Sequence, residues 1–182
     1  MPIDKVRVDL GWGPAKLSGE WRPDQAERDA AWELYVELVT RITVAPLAPG
    51  HGILREALSS LYQLFGVTRE ILRKYGPSVA KPPRKGEYRF GHLAIWMLNA
   101  ALRPVLAHWH PALQEWEATR PEGTAVVVHE AAWERSQELR DELEKLRLVL
   151  LQYAEIFATV CEAPALIDAT HAILAQYAAE KS

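Results

Sequence analysis

At 182 residues, with 49% hydrophobic and 25% charged side chains, the chain has a globular composition and enough length for one well-buried core, which excludes a mostly disordered protein. A net charge of -3 excludes long-range attraction of the whole chain to nucleic acid or to an anionic membrane, so any such role has to be local. Cys161 is the single cysteine, which excludes an intrachain disulfide and a cysteine-rich metal site and fits a reducing, cytoplasmic setting.

The first element is an extended arm or hairpin over residues 1–22. Val6, Val8, Leu10 and Trp12 alternate with Lys5, Arg7, Asp9 and Gly11, the period of a half-buried strand, before Gly13, Pro14 and Gly19 break it. The strand pairs within the chain or waits for a partner's sheet edge. Met1 to Leu10 mixes charge with apolar residues, and the apolar stretch Leu93 to Leu102 is interrupted by Asn99, so neither a signal peptide nor a membrane span is expected.

A first helix should start at Pro23 and Asp24, show Trp32, Tyr35, Val39 and Ile42 on one face, and end at Pro46, Pro49 and Gly50. A second runs from Gly52 to Tyr75 on a stripe of Leu54, Leu58, Leu61, Phe65, Thr68, Leu72 and Tyr75, stopped by Gly76-Pro77. Residues 81–86 form a basic, proline-rich linker. The third helix carries Ile95, Leu98, Leu102, Val105, Trp109, Ala112 and Trp116, with Pro104 predicting a kink or break near Arg103. The fourth spans His129 to Glu162, and its seam of Leu139, Leu143, Leu146, Leu150, Tyr153, Phe157 and Val160 keeps heptad spacing for three repeats. Pro164 opens a short last helix. These patterns predict a single all-α domain over 1–182, an antiparallel bundle of four to five helices with a short N-terminal β-like arm or hairpin.

Chemistry concentrates around Arg103, His108 and His110 in an otherwise apolar helix. On a regular helix His92, Asn99, Arg103, His110 and Glu117 share one polar line, whereas His108 lies on another face. Arg103 with His108 or His110 satisfies the R-x(4-6)-H pattern and in that short motif resembles the HEPN-type ribonucleases, which are also all-helical. The resemblance implies metal-independent RNA cleavage, with Arg103 on phosphate charge, His108 or His110 moving protons, and two copies facing across a dimer. Pro104 departs from that family, in which a polar residue commonly follows the arginine. The plainer reading has these side chains hydrogen-bonding between helices or facing solvent.

No metal or cofactor is expected. His108 and His110, two residues apart, diverge by about 200° on a helix. There is no H-E-x-x-H, glycine-rich phosphate loop or G-x-S-x-G elbow. Cys161 reads as a small buried hydrophobe. Between Arg69 and Arg89, the cations Arg69, Arg73, Lys74, Lys81, Arg84, Lys85 and Arg89 face only Glu70 and Glu87. That basic segment is a candidate contact for RNA, a nucleotide or an acidic partner, or simply a soluble helix end and loop.

Ala31 to Arg41 (AWELYVELVTR), Leu54 to Tyr62 (LREALSSLY), Leu102-Arg103-Pro104 and Trp109-His110-Pro111 resemble a family of small bacterial helical proteins from conflict or antiphage-defence settings, over roughly Gly11 to Glu117. The resemblance implies a defence-system accessory and lends no catalytic residues. The favoured expectation is a non-enzymatic accessory or sensor subunit that docks a protein partner or a second copy. A HEPN-like ribonuclease and a nucleic-acid or nucleotide-binding module using residues 69–89 are the alternatives.

Overall fold

The computed structural model describes residues 3–41, 52–82 and 84–179, which are largely helical with a small three-stranded sheet. Strands β1 (Val6–Trp12) and β2 (Ala15–Trp21) form an antiparallel hairpin. The arm therefore pairs within the chain, and Val6, Val8 and Leu10 are buried while Arg7 and Asp9 stay exposed, as the alternation requires. Helix α1 (Gln25–Val39) is followed by α2 (Leu54–Tyr75) and a 3-10 turn, Gly76–Ala80. The basic segment then contributes a third strand, β3 (Glu87–Tyr88), parallel to β2. Gly19 makes that crossing possible, because a Cβ there would lie 2.4 Å from the carbonyl oxygen of Gly86.

Asp24 caps α1 through a reciprocal capping box with Glu27. The inner face of α1 is Ala30, Ala31, Leu34, Tyr35 and Leu38, all fully buried. Trp32, expected on that face, is 43% exposed, because burying Ala31 and Leu34 turns its side chain outward. Ile42 and the Pro46 to Gly50 terminator lie outside the described residues. Along α2, Leu54, Leu58, Leu61, Phe65 and Thr68 are buried as the stripe predicts.

From Phe90 to Glu117 the chain is one 28-residue helical rod in three parts: α3 (Phe90–Trp96), a π-helical segment (Met97–Leu102) and α4 (Arg103–Glu117). Pro104 neither breaks nor ends it. The wide turn preceding the proline, closed by Arg103 N–H donating to Leu98 O, relieves the crowding that a proline ring imposes on a regular turn. Part of the rod is long and apolar enough to match a membrane-crossing helix, yet 56% of that window is buried inside the fold, so packing accounts for its apolarity.

The fourth predicted helix is divided into α5 (Val126–Ala131) and α6 (Ser136–Val160). The chain turns between them, which lets Glu130 face the start of α2 while Trp133 packs edge-on against Trp109 at 6.0 Å. Every residue of the expected α6 seam, from Leu139 to Val160, is buried. α7 (Pro164–Ala179) follows. α6 packs on α1, β1 and α7, while α2 packs on α1 and α4, around one contiguous apolar cluster. Trp21 sits inside it against Phe90 and Phe157, with ring centroids 6.5 and 6.1 Å away.

Candidate functional site

The three side chains singled out on the third helix point to different neighbours. Arg103 is exposed; its Nε and Nη2 donate to Asn99 Oδ1 at 3.0 and 2.9 Å, and its guanidinium lies 5.3 Å from the centroid of Phe65 on α2. His108 faces the start of α6, with Nε2 2.9 Å from Arg135 Nη2. Arg135 in turn lies 4.4 Å from the centroid of Trp109 and 5.9 Å from that of Trp133. Arg103 and His108 therefore diverge within one chain, as five residues of helix demand.

His110 belongs to a network that the sequence does not advertise. Its Nδ1 is 2.7 Å from Arg55 Nη1. Arginine only donates, so Nδ1 holds a lone pair and the neutral ring carries its proton on Nε2. That Nε2 is buried without a hydrogen-bond partner. Burial first and the Arg55 charge second push the His110 pKa below its ordinary value, so the neutral ring is favoured. Its one basic lone pair is occupied by Arg55. The same guanidinium forms a bidentate pair with Glu117, at 2.8 Å from Nη2 and 3.0 Å from Nε, and thereby ties α2 to the end of α4. Of the expected polar line, His110 and Glu117 meet at Arg55, Asn99 and Arg103 pair with each other, and His92 shares a groove lining with Asn99.

Two buried carboxylates organise the helix starts. Glu27, fully buried, accepts from Trp21 Nε1 (3.1 Å), Phe90 N (2.9 Å), Asp24 N (3.1 Å) and Arg89 Nη1 (3.2 Å). Glu130, 2% exposed, accepts from Leu54 N at 2.8 Å and Arg55 N at 3.3 Å, supplying the cap that Ile53 lacks at the start of α2. The Asp24–Glu27 capping box is a local pattern, but the bonds to Phe90 and Arg89 and the whole role of Glu130 do not show in local sequence, because those partners are about 60 to 75 residues away in the chain.

The basic segment is divided in its loyalties. Lys74 pairs with Glu33, Lys81 with Asp24 at 3.4 Å, and Arg89 with the buried Glu27, so three of its cations serve the architecture around α1. Burial opposes the charge on Glu33, but its bonds from Lys74 and Tyr75 prevail and hold the carboxyl below its ordinary pKa. Arg73, Arg84 and Lys85 are exposed. Cys161 is half-buried; burial pushes its thiol up to about 11, which leaves it a poor nucleophile at neutral pH.

An open apolar groove of about 650 Å³ lies where the sheet meets α3, walled by Leu17, Tyr88, Ile95 and Trp96, with His92 and Asn99 on its lining. Ile95, expected in the buried stripe, is 45% exposed. The π turn inserts an extra residue into the helical phase, so the buried face before it is Phe90, Leu93, Ala94 and Met97. Ile95 is thereby turned out beside the groove, and only a signal for the π turn itself would have revealed this.

Comparisons of the chain with family models, curated proteins and solved structures return no match. The resemblances drawn from the sequence rest on its motifs alone.

Proposed function

We propose that the chain is a non-enzymatic accessory or sensor subunit that docks a protein partner in the groove between β2, β3 and α3. The observation that carries this reading is the groove itself, an apolar recess with the large side chain of Ile95 turned out beside Leu17, Tyr88 and Trp96. Its dimensions and walls suit leucine or aromatic side chains projecting from one face of an amphipathic helix. The proposal treats the helical part as an antiparallel bundle of four to five helices that presents this recess on a firm support. Further support comes from the titratable groups: His110 and His108 each accept from an arginine, and Glu27 and Glu130 hold the starts of helices in place. A bacterial cytoplasm and a defence system are the setting that the motif resemblance adds to the proposal.

The test is site-specific photocrosslinking. With benzoylphenylalanine in place of Ile95, the protein expressed in its native cell should give one discrete adduct, whose protein partner is identified by mass spectrometry. Leu17→Glu or Trp96→Ala should remove that adduct while the far-ultraviolet dichroism is retained. Absence of any adduct, or an adduct unaffected by Leu17→Glu and Trp96→Ala in folded protein, contradicts the reading. An adduct with a second copy of this chain would replace the separate partner by self-association.

A further inference from the structure

The exposed face shared by α2 and α4 lies apart from the groove and carries a different chemistry. Tyr62, Gly66, Arg69 and Arg73 follow one another at spacings of four, three and four, so they form one stripe along α2 about 60° wide. Phe65 lies beside that stripe, and Arg103 reaches it from α4. The guanidiniums of Arg69 and Arg103 stand 5.7 and 5.3 Å from the same Phe65 centroid. Two cations thus converge on one ring, and among the described residues no ion pair brings a carboxylate to Arg69, Arg73 or Arg103. Glu70, adjacent in sequence, lines the opposite cleft between α1 and α2. Like charges gathered without a counterion repel each other, an arrangement that an anionic ligand relieves.

The same face offers a flat apolar support. Tyr62 is 62% exposed, with its ring 6.1 Å from Phe65 and edge-on to His110 at 5.9 Å, so packing behind it holds the ring at the surface. Gly66 completes the feature. It sits in the middle of a 22-residue helix, where glycine is a poor helix former, and a Cβ added to it would meet nothing within 4 Å. No close packing inside the protein requires this glycine. Its effect is a bare ledge of backbone between an aromatic ring and two arginines.

We infer that this face binds a nucleotide unit, with the base stacked on Tyr62 and the phosphate held by Arg69 and Arg103 across the Gly66 ledge. An exposed aromatic supplies the sequence-tolerant stacking surface for the base, and planar guanidiniums supply forked donors for phosphate oxygens. A free nucleotide and a single-stranded nucleic acid present the same base-plus-phosphate chemistry. The site differs from the basic segment read from sequence, since only Arg69 is common to both and Arg103 joins from another helix. It does not rest on the docking proposal, so either can fail alone.

The test is titration of the full chain with a fluorescein-labelled 15-mer of single-stranded oligouridylate and, separately, with ATP by calorimetry, both at low salt. Binding to the 15-mer alone assigns the site to single-stranded nucleic acid, and equal per-site binding of ATP assigns it to the free nucleotide. In either arm Tyr62→Ala and Arg103→Ala should each weaken binding about tenfold, and Arg84→Glu with Lys85→Glu should leave it within about twofold. Gly66→Ala should weaken binding while raising the melting temperature, two opposite movements that a purely structural glycine would not give. The inference is overturned if neither probe binds, if Tyr62→Ala and Arg103→Ala bind as wild type, or if poly-glutamate competes as well as the oligonucleotide, which would make the face a general anion surface.

Discussion

α3 and α4 are two halves of one rod, separated by six π-helical residues, and they differ in what they leave exposed. Beyond the π turn, α4 buries Val105, Leu106, Trp109 and Leu113, and its polar side chains are tied to α2 and α6 through Arg55, Glu117, His110 and Arg135. Before the turn, α3 is fastened at its first residue by Glu27 but presents Ile95 and Trp96 beside an open groove. The difference comes from phase. One additional residue rotates the two halves by about 100° relative to a regular helix, so one continuous apolar pattern closes a core on one side and lines a recess on the other.

Deleting Ala100 should break the comparison most severely. Restoring a regular helix would turn Phe90, Leu93 and Met97 out of the core, at about 2–5 kcal/mol for each large side chain displaced, and cooperative thermal unfolding by circular dichroism should be lost. A normal melt would show that the π turn does not set the phase. Next, Glu27→Ala should cost about 3–5 kcal/mol in denaturant unfolding, because it leaves the buried donors of Trp21 and Phe90 and the charge of Arg89 without their acceptor. Glu27→Ala with wild-type stability would mean that α3 is not anchored there.

Arg55→Ala tests the anchor of α4 and should cost about 1–2 kcal/mol, less than Glu27→Ala because the Arg55 and Glu117 side chains are each about 30% exposed. The smallest effect is in pH. His110 has a folded pKa below its unfolded value near 6.5, so in that interval the unfolded chain binds more protons. Its contribution is present above the unfolded value and is lost as pH falls through the folded one. Acidification from pH 7 should therefore lower the melting temperature more in wild type than in His110→Gln, and equal slopes would remove His110 as the titrating group.

Much of this was legible beforehand. The α6 seam, the α2 stripe and the alternation of the hairpin all follow from periodic burial, which repeats along the chain and needs no knowledge of distant partners. What escaped depends on long-range pairing. Glu130 gives no local sign that it caps α2, the Asp24–Glu27 capping box gives no sign of Phe90 and Arg89, and Arg55 carries no local mark of its tie to Glu117 and His110. Pro104 was readable as a disturbance, yet its accommodation by a π turn, and with it the outward turn of Ile95, depends on how two half-helices settle on one core. The polar line from His92 to Glu117 resolves into two groups, His92, Asn99 and Arg103 on one side and His110 with Glu117 at Arg55 on the other.

The docking role proposed for the α3 side of the rod separates from any role in stability at Ile95, which is 45% exposed. Ile95→Arg tests it when the melting temperature and the recovery of the crosslink-identified partner are measured on the same protein, with the crosslinker moved to Trp96. The account predicts stability within about 0.5 kcal/mol of wild type, as for a surface substitution, together with loss of the partner. Ile95→Arg protein that still binds the partner as wild type, or that unfolds many degrees lower, would contradict it.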